Sequence, residues 1–310
     1  TEAVGKWNVD IDLSMKAPNF VNNFFGWGNE SIYNQHIGDE PDIDVKRPFH
    51  YYRYRFEEWR FEPSLWRKIR NYGSFRIGPA VQRIEVEEPD EADDRFIETF
   101  ASTLPYNLFN EYYTFAGVSW QFAVDQRDHA QFTRRGIVFN LAGRNMAGLD
   151  GRAGDFSSYE TSLSLYHSFR QHSRVVFAAR TGFGLNTGTY DFYQAQVLDG
   201  KTELRGFRKT RFYGDRKFYS NFELRLRLLN FRSYLFPASM GILGFHDLGR
   251  VWYKDDAGID PSAADGSSGV WHKTVGGGIW FTPFNAAVLS TEVGHSNEGN
   301  LVYVRLGFLF

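Results

Sequence analysis

The chain has 310 residues, a formal net charge of −2, no cysteine and an aromatic content of 18%. This balance offers no global basic field for nucleic acid, and the missing cysteines exclude disulfides, thiolate metal sites and cysteine nucleophiles. No apolar run reaches ~18 residues, so no transmembrane helix is expected. No signal peptide precedes TEAVGKW, so the chain reads as mature, trimmed or a fragment.

The first element is a strand over Lys6 to Lys16. Trp7, Val9, Ile11, Leu13 and Met15 share one face and Asn8, Asp10, Asp12 and Ser14 the other. A long Asn- and Gly-rich segment follows to about Pro48. Phe49 to Phe61 reads as the next strand, Pro63 as a tight turn, and Ser64 to Glu87 as a returning strand with a bulge or edge at Pro79. The acidic run Glu85 to Asp94 reads as a solvated loop. Glu111 to Asp125, Gly136 to Arg144, Tyr159 to Arg170 and Arg174 to Gly184 alternate clearly, and a Gly-rich loop over Ala147 to Gly154 matches no phosphate-binding pattern. After a long loop come strands over Phe218 to Leu229, Ser239 to Tyr253, Trp271 to Thr282, Ala286 to Gly294 and Leu301 to Phe310. In the last of these, Val302, Val304, Leu306, Phe308 and Phe310 are expected on one face.

These are about twelve strands, with no helical period anywhere. Short turns near Pro63, Arg127, Gln171, Ser233 and Pro283 alternate with long loops near Asn29, Glu91, Gly151, Asp199 and Ala263; the final turn near Asn297 is short. Such alternation, with apolar and aromatic faces, predicts an all-β fold: a transmembrane antiparallel β-barrel occupying residues 1–310, with a long loop at about 188–216 folded into the lumen. A soluble sandwich would not need it. A barrel of this strand number is too wide for wall side chains alone to fill.

Three motifs sit on consecutive elements. Arg205-Gly206-Phe207 lies in the long loop, Asn221-x-Glu223-x-Arg225 on the next strand, and Gly244-Phe245-x-Asp247-x-Gly249 on the strand after it. Singly each is weak, and the first reads equally well as a solvated basic loop. In this order they resemble the barrel half of the BamA-like surface-antigen superfamily, whose members insert or export proteins at bacterial outer membranes. The resemblance is strongest over about Thr202 to Trp252 and at the last strand. It implies that Arg205 reaches into the lumen and pairs with Asp247 and Glu223, a role that suits a planar guanidinium. Gly206 would allow a sharp tip and Phe207 would pack on the inner wall. Gly307 is either a small lumen residue or the point where the last strand bends and weakens its seam with the first. A closing Phe310 is typical of outer-membrane proteins and is read by their assembly machinery.

The resemblance also implies partners: the lipid bilayer of the outer membrane with its lipopolysaccharide, a polypeptide substrate, and a fused or associated periplasmic domain. Relatives usually have about sixteen strands and periplasmic polypeptide-binding domains before the barrel. The strands missing here precede the loop, and no accessory domain is visible. An insertase or translocator is therefore expected, with a membrane anchor or passive pore for a fused hydrolase as the alternative. His167 lies on an apolar face and His246 beside Asp247, and no two histidines stand at metal-ligand spacing with a carboxylate, so neither metal nor cofactor is expected. No Gly-x-Ser-x-Gly elbow occurs and no catalytic residue is assigned, which leaves a barrel lipase or protease as the remaining enzymatic alternative.

Overall fold

The computed structural model describes residues 2–4, 7–29, 31, 33, 49–90, 95–151, 154–169, 174–232, 237–253, 269–284 and 287–310. The turns expected near Gln171 and Ser233, the loop near Ala263 and the end of the acidic run at 91–94 lie outside these residues. The strands are β1 (Glu2–Val4), β2 (Trp7–Asn23), β3 (Arg53–Ile69), β4 (Gly73–Val86), β5 (Tyr112–Asp125), β6 (Gly136–Gly148), β7 (Phe156–His167), β8 (Val175–Gly188), β9 (Gln196–Leu198), β10 (Phe212–Gly214), β11 (Arg216–Arg232), β12 (Pro237–Trp252), β13 (His272–Pro283), β14 (Leu289–Ser296) and β15 (Gly299–Leu306). Among the described residues there is one short α-helix, α1 (Phe96–Ala101), between β4 and β5. Apart from β9 and β10, which pair with each other, the strands form one 13-stranded antiparallel sheet in chain order. It consists of the three-residue β1 and twelve longer strands.

Alternation decides which face meets lipid. On β12, Met240, Ile242, Gly244 and His246 are exposed, while Gly241, Leu243, Phe245, Asp247 and Gly249 are buried. Across the sheet the outward residues are apolar: Ile11, Leu13, Phe61, Leu65, Val118, Phe177, Leu224 and Val293 all stand exposed. On β3 this band is bounded by Glu57 and Arg67. Ten residue steps at ~3.3 Å on a strand tilted by ~40° give a height of roughly 25 Å, the apolar thickness of an outer-membrane barrel. Aromatics mark its rims. Tyr112, Trp252 and Trp271 stand at the long-loop end, with guanidiniums on their faces: Arg83 lies 3.9 Å from the Tyr112 ring and Arg250 4.6 Å from that of Trp252. Tyr72, Phe169 and Phe231 stand at the turn end. The fold is a transmembrane antiparallel β-barrel.

Several expectations are corrected. The first strand does not stop at Lys16 but runs to Asn23, over a bulge between Lys16 and Phe20 where Asn19 takes a φ of 67°. Pro63 makes no turn. The β3–β4 ladder breaks after Phe61↔Val81 and resumes at Leu65↔Ile77, so the imino nitrogen falls where no bond is made and the strand passes through. The turn lies at 70–72, with Arg70 at a φ of 56°. The loop near Gly151 is short because β6 continues to Gly148, and it is no longer than the 126–135 turn at the other end. The last strand ends at Leu306. A φ of 116° at Gly307 breaks the alternation, so Phe308 and Phe310 leave the outward face of Val302, Val304 and Leu306 and turn inward.

At the long-loop end described residues of loop, helix and wall pack together inside the barrel. Wall residues Tyr54, Phe56, Ile84, Tyr113 and Phe115 meet Phe24, Trp27, Phe192 and, from α1, Ile97 and Phe100 in one buried cluster. The Phe24 ring alone contacts Trp27, Phe100, Phe192 and Tyr213 at centroid distances of 4.5–6.3 Å. Towards the turn end the inner wall is polar, with Arg76–Asp10 at 2.8 Å and Arg144–Glu62 at 2.9 Å beside a cavity of about 310 Å³.

Candidate functional site

The loop between β8 and β11 is built to hold its tip still. It leaves the wall, forms the β9–β10 hairpin inside the barrel, and returns. Asp199 organises the tip: its backbone carbonyl accepts the N–H groups of Glu203 (2.9 Å) and Leu204 (3.0 Å), and its carboxylate accepts those of Thr202 and Thr210 (both 3.2 Å). Leu198, Leu204, Phe207 and Phe212 pack with Tyr219 and Val251 of the wall, a small core that seats the loop against β11 and β12.

The tip ends in Arg205, whose side chain is fully buried. Its Nε and Nη2 each donate at 2.8 Å to the two oxygens of Asp247, and its backbone N–H donates to Asp247 Oδ2 at 3.1 Å. Nη1 donates to Glu223 at 2.5 Å and to Glu292 at 3.0 Å. The Phe245 ring covers the guanidinium at 3.5 Å. The acids come from three different strands, β11, β12 and β14, and all three side chains are fully buried. Burial acts to lower the arginine's pKa, but its bonds with Asp247 and the charges of all three acids outweigh that and raise it further above its ordinary value. Two more guanidiniums balance the charge. Arg225 donates to Glu223 at 2.8 Å and Arg305 lies 3.7 Å from Glu292. Arg225 also donates to the Phe310 carbonyl at 2.8 Å, which ties the inturned chain end into the same network.

Gly206 has a φ of 95°, and its neighbour across the gap is Gly294, where a Cβ would lie 2.8 Å from the Gly206 nitrogen. Backbone thus meets backbone at the wall. Tyr303 Oη accepts the Gly206 N–H at 2.8 Å and donates to the Phe207 carbonyl at 3.2 Å, while Ser296 Oγ donates to the Gly206 carbonyl at 2.7 Å.

The structure therefore brings Arg205, Gly206, Phe207, Glu223 and Asp247 together. Gly307 and Phe310 sit apart, beyond the end of β15; Arg225 ties Phe310 to the cluster, and Ser290 Oγ, 2.9 Å from the Gly307 carbonyl and 3.0 Å from Glu292, ties in Gly307. Sequence reasoning missed Glu292, Arg305, Tyr303 and Gly294. The available signal was strand parity: Ser290, Glu292, Gly294 and Ser296 are the inward set of β14, and Glu292 is its one acid. The Gly28-Asn29 pair also has a use. Asn29 donates to the Val251 carbonyl (2.6 Å) and accepts its N–H (2.8 Å), so a loop side chain completes an open backbone position of β12. Asn29→Ala is expected to cost about 1–3 kcal/mol by leaving this pair unsatisfied, read as faster amide exchange at Val251 with little change at Asp247.

The loop also reaches the sheet edges. Among the described residues no backbone ladder joins β15 to β1 or β2. Asn23 of β2 donates to the Lys209 carbonyl at 3.1 Å and accepts from Thr210 Oγ1 at 2.9 Å, while Tyr303 of β15 holds residues 206 and 207. The lumen loop is the bridge across the seam.

Comparison with known proteins agrees with this architecture. The Omp85 superfamily domain matches residues 4–290. The comparison with curated proteins gives no match. Among solved structures, the crystal structure of BamA from Haemophilus ducreyi lacking POTRA domains 1–3 is similar at a TM-score of 0.61 and 14% identity, over 82% of this chain and 55% of that one. The chain thus spans about half the length of the structure it matches. With a domain match over most of its length and a barrel whose outer face is built for lipid, the chain belongs to the Omp85 superfamily and is a bacterial outer-membrane protein.

Proposed function

We propose that this barrel inserts or translocates polypeptide at the outer membrane, with Arg205 as the latch of a lumen loop that also keeps the seam shut. The observation that carries this reading is a fully buried guanidinium on a loop, held by carboxylates of three strands, where the same loop bridges the two sheet edges. A buried ion cluster is a poor way to gain net stability, because desolvation offsets the attraction; it is a good way to specify one position. Releasing the tip would free lumen space and both edges at once, and an unpaired edge is a template for an incoming strand. Gly307 turns the residues that follow β15 inward, off the line of the strand, which leaves that edge short. On this reading the barrel itself does no bond chemistry, and its partners are the bilayer and an unfolded chain.

The test is the folding rate of a denatured outer-membrane protein added to vesicles that contain this barrel. Wild type is expected to accelerate folding over empty vesicles, and Arg205→Ala to change that rate. No acceleration by the wild type would count against the insertase and favour a membrane anchor or passive pore.

A further inference from the structure

Beside the seam, at the long-loop end, lies a cleft of about 660 Å³. One bank is the end of β2 and the start of β3, with Val21, Phe49 and Arg53. The other is β15 from Leu301 to Arg305, and the floor is the back of the lumen loop, with Lys201, Phe207, Arg208 and Lys209. Its lining is unusual in a chain of net charge −2: five cations, Arg53, Lys201, Arg208, Lys209 and Arg305, and no carboxylate among the described residues. Among the described residues, Arg305 lies 3.7 Å from Glu292 and Arg208 interacts with the Glu298 carboxylate. Three of the cations rest on aromatic faces. Arg53 and Arg208 each lie 4.9 Å from the Phe49 ring and Lys209 lies 5.8 Å from that of Phe20. Arg53, Lys201 and Lys209 are exposed. The apolar side is equally open, with Val302 67% and Val304 78% exposed on the bilayer-facing surface of β15.

We propose that this cleft binds a phosphate-bearing membrane lipid from the leaflet at the long-loop end. Its anionic headgroup would lie on Arg53, Lys201, Arg208 and Lys209, and its acyl chains along Val21, Val302 and Val304. Convergent cations, of which Arg53, Lys201 and Lys209 are exposed, next to a wall that faces hydrocarbon fit an anionic amphiphile. A soluble anion would leave the apolar bank uncovered, and a neutral lipid would leave the charges unanswered. Since Lys201 and Phe207 to Lys209 belong to the lumen loop, a bound lipid would also buttress the seam from outside. The site does not depend on whether the barrel handles polypeptide; it requires only that the barrel sit in a membrane.

The test uses the intact barrel in zwitterionic detergent and native mass spectrometry, with bisphosphorylated lipid A as probe. Dephosphorylated lipid A and inorganic pyrophosphate serve as the other arms. The expected result is a one-lipid adduct with the bisphosphorylated form. That adduct should weaken at least about tenfold in Arg53→Gln/Lys201→Gln/Lys209→Gln, which alters only exposed side chains, and persist in the lumen-wall control Arg76→Gln. Equal retention of the dephosphorylated lipid, or an unchanged adduct in the triple variant, overturns the proposal. Pyrophosphate binding as tightly as the lipid would make the cleft a free-anion site and overturn it too. Circular dichroism and heat-modifiable gel mobility check that the variant is folded, and a conservative Arg53→Lys/Lys201→Arg/Lys209→Arg variant should restore the adduct.

Discussion

Arg205→Ala is expected to destabilise the folded barrel by about 3–5 kcal/mol and to raise its conductance in planar bilayers. The stability loss follows from what is left behind. Glu223, Asp247 and Glu292 are fully buried, and Arg225 and Arg305 can answer only two of the three charges. An uncompensated buried carboxylate costs far more than the ion cluster ever contributed. Arg205→Lys should fall between wild type and alanine, because an ammonium cannot reproduce the paired bonds to Asp247 or the flat contact on Phe245. Combining Arg205→Ala with Asp247→Asn should recover part of the stability while the conductance stays high, since the first quantity reports buried charge and the second reports the vacated lumen. Urea unfolding in lipid vesicles and single-channel recording check the two separately. Parental values of both in the alanine variant would rule out a latch.

Much of this architecture was legible before any coordinates because a membrane barrel writes its two faces into alternate residues. The parity of Phe222, Leu224 and Leu226 against Asn221, Glu223 and Arg225 placed the acid on the inner side, and the ladder between β11 and β12 sets Asn221 opposite Asp247. Glu292 was legible as the one inward acid of its strand but not as a partner of Arg205. Its strand is short and carries no motif, and it reaches Arg205 only because the sheet curls, a relation between residues 87 positions apart. The proline at 63 misled because a turn signal and a broken ladder look alike in one strand; the difference lies in the partner strand, where Pro79 and Gly78 face the same gap. Phe310 was read as the continuation of the stripe of Val302, Val304 and Leu306, and one positive φ at Gly307 was enough to send it the other way.

The sharper test of the loop's seat changes no charge. Gly294→Leu should displace the tip as effectively as removing the guanidinium, and Gly294→Ala should do so partially. A Cβ at 294 would stand 2.8 Å from the Gly206 nitrogen and 3.0 Å from the Arg205 carbonyl carbon. Both are backbone atoms of a tip already fixed by Tyr303 and Ser296, so no flexible side chain is there to give way. Alanine is expected to cost about 1–3 kcal/mol by overpacking, and leucine more. Gly244→Ala is the matched control: it points to lipid, nothing but the Gly276 carbonyl at 3.9 Å lies near its Cβ, and its effect should stay within about 0.5 kcal/mol. The decisive quantity is the coupling with Arg205. If wall contact and ion cluster hold one and the same tip, Arg205→Ala should add little stability loss and no further conductance to Gly294→Leu, because the loop has already left its seat. Strict additivity in a double-mutant cycle would mean that the two sites act independently, and a loop that can lose either hold without losing the other is not latched by both.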